Sequence, residues 1–155
     1  MSKFRKLQQL SRDERRLLAQ AGLFLPLTLV GVRAFGVSRW QSVLAKLAQV
    51  GKKHPVRSCA GEAISSKAAQ IATMVNVAAQ HGIFRVRCLQ RSLVLWSLLA
   101  RNGIESEVRY GARKENGQIQ AHAWVEINGV VLYDDEHRDF SILEELTASE
   151  SRVNR

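Results

Sequence analysis

Cysteine is scarce in this 155-residue chain: Cys59 and Cys88 are the only thiols, and they form neither a CxxC pair nor a four-ligand set. That excludes a disulfide-stapled secreted scaffold and a zinc knuckle, and it points to a reducing, cytoplasmic compartment. Carboxylates are scarce in the first third. Residues 1–57 hold twelve Lys/Arg against Asp13 and Glu14, a formal +10, while the rest of the chain sums to −1. Aromatic residues make up 6% of the chain, few for a base-stacking platform, and no recognition motif occurs, so no nucleic-acid partner is expected. The longest apolar run, Ala21 to Val32, contains Pro26, is short for a bilayer span and lacks a cleavage site after it. Neither a transmembrane helix nor a signal peptide is expected. The basic region reads either as packing helices with a solvated face or as a docking surface for a membrane or an acidic partner. Repeats and low-complexity tracts are absent, and nothing calls for a metal or a cofactor.

What is present is a change of period along the chain. Ser11-Arg12-Asp13-Glu14 has the form of a capping box, so a helix is predicted from about Arg12, bending or stopping near Pro26. Ser38-Arg39-Trp40-Gln41 predicts a second helix that ends at Gly51, followed by a loop over 52–61. Alanine-rich spacing predicts a third over about Glu62–His81. A fourth, Cys88 to Arg101, is apolar nearly all round and is therefore central. Alternating residues then predict strands over 105–114, 119–127 and 130–135, joined by turns at Asn116-Gly117 and Asn128-Gly129. A short helical element is predicted between His137 and Leu146. The expected fold class is α+β: a basic N-terminal helical region, 1–57, then a core, 58–155, with a Cys-bearing helix packed on an antiparallel β-meander, together forming one compact domain.

That order has chemical meaning. A thiolate is favoured at a helix N-terminus, where unpaired N–H groups point outward, and Arg85 and Arg87 add positive charge beside Cys88. Thiol catalysis also needs a base, for which His122 in "AHAWVE" is the candidate, and an acid to orient that base. Asp134 or Asp135 could serve. A two-residue Asn128-Gly129 loop pairs His122 with Asp135, and a bulged three-residue loop pairs it with Asp134; the residues alone leave both open. Each residue has a plainer reading as well. A lone cysteine is usually packing, Cys59 has no partner at helix or strand spacing, and His81 suits a helix C-terminus. Three element-specific positions in this order favour a Cys-His-Asp hydrolase or transferase. The alternatives are an amidase or transglutaminase-type acyl transferase and a non-catalytic basic binding module.

At "RCLQRSLVLWSLLARNGIESEVRYG", "AHAWVEINGVVL" and the aspartate that follows, the chain resembles the leader peptidases of lasso-peptide biosynthesis, stand-alone B2 type, in the transglutaminase-like, papain-related superfamily. The resemblance covers roughly residues 58–145. It implies a papain/transglutaminase-like core and a triad of Cys88, His122 and Asp134, with the His-to-Asp interval favouring the bulged loop. It further implies an intracellular cysteine peptidase that removes the leader from a ribosomally made precursor peptide. The implied partners are that precursor, a small leader-binding protein of the B1 type and the lasso cyclase, with peripheral membrane contact through the basic helices as a further expectation. Papain-type enzymes place a glutamine upstream of the cysteine. Here the nearby candidate, Gln80, falls inside the predicted third helix, so oxyanion stabilisation is assigned to the Cys88 backbone N–H with its second donor open.

Overall fold

The Cys-bearing helix, apolar on nearly every side, is the centre of the molecule. The computed structural model describes residues 10–50, 61–82, 86–132, 134 and 139–142. Four helices, α1 Arg12–Phe35, α2 Val37–Val50, α3 Gly61–His81 and α4 Cys88–Arg101, precede four strands, β1 Glu107–Glu115, β2 Gln118–Ile127, β3 Val130–Val131 and β4 Ser141–Ile142. The order is the expected α+β one. Helix α4 packs against α1, α2, α3 and β2. Its Leu93, Val94, Leu98 and Leu99 are completely buried, as a helix apolar on nearly every side requires. Val94, Leu98 and Leu99 share one cluster with Leu17, Ala21 and Leu25 of α1, Ala68, Ile71 and Val75 of α3, and Val125 of β2.

Helix α1 starts at the predicted capping box. Glu14 N–H donates to Ser11 Oγ at 3.2 Å, and Ser11 N–H donates to Glu14 Oε2 at 2.8 Å. The bond from the Ser11 backbone, helped by its hydroxyl, holds the Glu14 carboxyl below its ordinary pKa. That contribution to stability is complete above the ordinary carboxylate range and is lost as pH falls through the lowered value.

Of the predicted bend or stop at Pro26, the stop does not occur: α1 runs on to Phe35. Proline removes one N–H and crowds the carbonyl four residues back, which here belongs to Gly22, an exposed residue with nothing within 4 Å of its Cβ position. Leu17, Ala21, Leu25, Thr28 and Gly31 hold both halves of the helix against the core. Helix α2 begins at Val37, just past Gly36, instead of after Ser38. The predicted stop at Gly51 and the loop over 52–60 lie outside the described residues.

Two glycines of α1 carry opposite expectations. A Cβ on Gly31 would overlap the Trp40 indole, which lies directly on bare backbone. Gly31→Ala is expected to destabilise the protein by about 1–3 kcal/mol through overpacking. Gly22→Ala, with open space at that point, is expected to stabilise it by about 0.5–1 kcal/mol through helix propensity. Urea unfolding of both variants checks the opposite signs.

All pairings in the sheet are antiparallel, in the order β3-β2-β1-β4. Both Asn-Gly turns have two residues in the left-handed region, Asn116 and Gly117 at φ 51° and 79°, Asn128 and Gly129 at 51° and 78°. This is the type I′ geometry that matches strand twist. The third strand is shorter than predicted, ending at Val131, with one further ladder bond from Leu132 N–H to Val125 O at 2.9 Å. Within 137–146, where a helical turn or short helix is predicted, Asp139 lies in a 3₁₀ turn and Ser141–Ile142 forms β4 on the other edge of β1. The open N–H and C=O groups of that edge offer a pairing that no local pattern displays.

Candidate active site

Extended as far as the aspartates, the register set by the tight Asn128-Gly129 turn, Ile127 opposite Val130, would put His122 against Asp135. Among the described residues the ladder ends with Leu132, and Asp134, outside any strand, brings Oδ2 to 2.9 Å from His122 Nε2. The expectation that Asp134 would need a bulged loop is thus corrected, because the face rule of a strand holds only while the strand lasts. Asp135 lies outside the described residues, as does Cys59. Both His122 and Asp134 are buried, and an ionised carboxylate only accepts, so Nε2 is the donor. The neutral ring then keeps its lone pair on Nδ1, the nitrogen left for proton exchange.

Helix α4 is tied to this pair by two side chains in its first turns. Arg91 Nη2 donates to the same Asp134 Oδ2 at 3.0 Å. Ser92 Oγ donates at 2.8 Å to the carbonyl of Ala123, the neighbour of His122. Residues two apart along a strand aim their carbonyls the same way, so Ala123 O points toward the β3 side, as Val125 O does, but beyond the end of β3. Ser92 takes the acceptor that the short strand leaves over. Cys88 begins this helix, half-buried, three and four residues before Arg91 and Ser92 and so on their side of it. Among the described residues His122 and Asp134 are in contact, and no hydrogen bond joins Cys88 Sγ to the ring.

The first N–H groups of α4 have no acceptor within the helix, and the Arg91 N–H is the one that bonds back to Arg87 O, at 3.2 Å. Gln90, also buried, accepts from Arg87 N–H through Oε1 at 3.1 Å and so fixes the entry to the helix. Gln80, the papain-like candidate, is exposed in the last turn of α3. On β1, Gly111 stands opposite His122. A Cβ at Gly111 would lie 2.8 Å from the Trp124 ring and 2.9 Å from Phe140 Cβ. The missing side chain lets Phe140 close over the imidazole, with ring centroids 5.0 Å apart. Arg113 covers Phe140 in turn, its guanidinium carbon 4.7 Å from the ring centroid.

Sequence reasoning missed Arg91, Ser92 and Phe140. The first two stand at i+3 and i+4 from Cys88, a spacing that marks one helix face, but their partners lie 43 and 31 residues away. Among the described residues no cluster of His, Cys, Asp and Glu could hold a metal ion.

A family model described as transglutaminase-like superfamily matches residues 31–145. No curated protein and no solved structure matches the chain. The matched span runs from the end of α1 through β4 and includes Cys88, His122 and Asp134, and the antiparallel sheet beside the Cys-bearing helix agrees with such a core. The chain therefore belongs to the transglutaminase-like superfamily, which includes cysteine proteases and acyl transferases.

Proposed function

We propose that this protein is a cysteine peptidase that removes the leader from a ribosomally made precursor of the lasso-peptide type, with Cys88 as nucleophile, His122 as base and acid, and Asp134 as orienting carboxylate. The observation that carries this reading is the 2.9 Å bond between His122 Nε2 and Asp134, anchored through Arg91 to the helix that begins at Cys88. In the reaction, His122 Nδ1 takes the thiol proton and the sulfur attacks the scissile carbonyl. The oxyanion forms beside the Cys88 N–H at the head of α4, a donor with no acceptor inside the helix. Protonated His122 then returns the proton to the leaving amine as the C–N bond breaks. Water, deprotonated by Nδ1, attacks the thioester and releases the leader's new carboxylate. Asp134 holds Nε2–H throughout and keeps the ring from turning.

A small separate leader-binding protein presents the precursor, and a cyclase consumes the product. The test combines purified protein, precursor and leader-binding protein and follows masses. Two fragments whose masses sum to precursor plus one water are expected. With a primary amine added, a product carrying the amine in place of water would assign acyl transfer instead. Intact precursor would sink the proposal.

A further inference from the structure

Helix α1 is apolar on two opposite faces, and only one of them is used by the core. Leu17, Ala21, Leu25 and Thr28 are buried. On the other side Leu23, Leu27 and Val30 are 61%, 46% and 65% exposed, at i, i+4 and i+7. Helical spacing extends that ridge through exposed Ala19 and Ala34, so it runs unbroken along four turns. Only 28% of the most apolar stretch of this helix is buried. An exposed strip of this length marks a binding surface. Helix α2 adds Val43 and Leu47, 39% and 42% exposed, flanked by exposed Arg39 and Lys46.

We propose that this face of α1 docks on an anionic lipid surface. Charge selects that occupant. Exposed Arg12 and Arg16 continue the ridge at its N-terminal end, and exposed Arg15, Arg33, Arg39 and Lys46 frame it. Asp13 is the only exposed carboxylate on the described parts of α1 and α2. Among the described residues none of the six cations forms a salt bridge. A second copy of the chain would bring the same six cations against themselves, whereas anionic headgroups neutralise them while the leucines enter the acyl boundary. Orientation follows from the core. Helix α1 cannot cross a bilayer without leaving α3 and α4, against which it packs, so it lies in the plane of the surface.

This proposal is independent of the peptidase reading, and its test needs no substrate. Full-length protein is sedimented with phosphatidylcholine vesicles containing phosphatidylglycerol, and with phosphatidylcholine vesicles alone. Binding to the anionic vesicles is expected, weakening at least about tenfold between about 0.05 M and about 0.5 M salt as the Debye length shrinks. Leu23→Gln with Val30→Gln is expected to weaken it at least about tenfold, since both side chains lose their apolar burial. Both lie outside the core, so circular dichroism stays unchanged, and Ile119→Gln, on a still more exposed sheet residue, leaves binding intact. No binding to anionic vesicles, equal binding to phosphatidylcholine alone, or equal binding by the double variant overturns the proposal. A concentration-dependent dimer that the double variant abolishes, without vesicle binding, assigns the ridge to a second copy and also overturns it.

Discussion

Alanine at Cys88 is expected to lower precursor cleavage by about 10⁴-fold or more, the scale of losing a covalent nucleophile. The prediction is specific because the position forgives the change in every other respect. Cys88 is the first residue of α4, where alanine is a good helix former, and it is only half-buried. Stability is therefore expected to stay within about 1 kcal/mol of the wild type. The ties that hold α4 to the sheet, from Arg91 and Ser92, do not pass through the sulfur. Cys59→Ala is the matched control and is expected to retain full activity. Cleavage rates are read by mass spectrometry, and unfolding is followed in urea. A Cys88→Ala protein that cleaves within tenfold of the wild type rules out thiol catalysis.

How much of this was legible in the sequence depends on how far apart the partners lie. The Ser11–Glu14 capping box, the Cys88–Arg101 helix and the Asn116-Gly117 turn are local patterns, and each occurs as read, while Asn128-Gly129 makes the tight turn instead of the bulged loop that the resemblance favoured. What failed locally failed through tertiary contact. Proline at 26 does not end α1, because five residues on the buried face hold the helix on both sides of it and the carbonyl it crowds is on exposed Gly22. The end of β3 also depends on distant structure. The register of a hairpin can be computed from its turn, but where its ladder ends cannot, and Asp134, beyond that end, meets His122. The pairing of β4 with β1 is non-local in the same sense.

The second large effect belongs to Asp134, and it separates charge from orientation. Asp134→Ala is expected to lower cleavage about 10³- to 10⁴-fold, as loss of the orienting acid does in such triads. It also leaves the buried Nε2–H of His122 without its acceptor, at a cost of about 1–3 kcal/mol in stability. Asp134→Asn is expected to be much milder, within about 100-fold of the wild type, a margin set by loss of the charge-assisted bond. The reason lies in Arg91. An amide at 134 has one accepting end and one donating end, and the wrong end toward His122 would force the ring into the other tautomer. Here Arg91 Nη2 and His122 Nε2 converge on a single oxygen, Oδ2. A guanidinium only donates, so it repels the amide NH₂ and turns the amide oxygen toward both donors. Arg91 is thus a positioning residue in the asparagine background. Adding Arg91→Met to Asp134→Asn removes the bias, and cleavage is expected to fall at least about a further tenfold, a coupling expected of residues that share one hydrogen-bond network. Nitrogen-15 spectra of His122 read the tautomer directly and do not depend on any substrate. They are expected to keep the proton on Nε2 in Asp134→Asn and to show a mixture in the double variant. If the single and double variants give the same tautomer and the same rate, Arg91 does not orient the carboxylate, and its contact with Asp134 serves only to hold α4 in place.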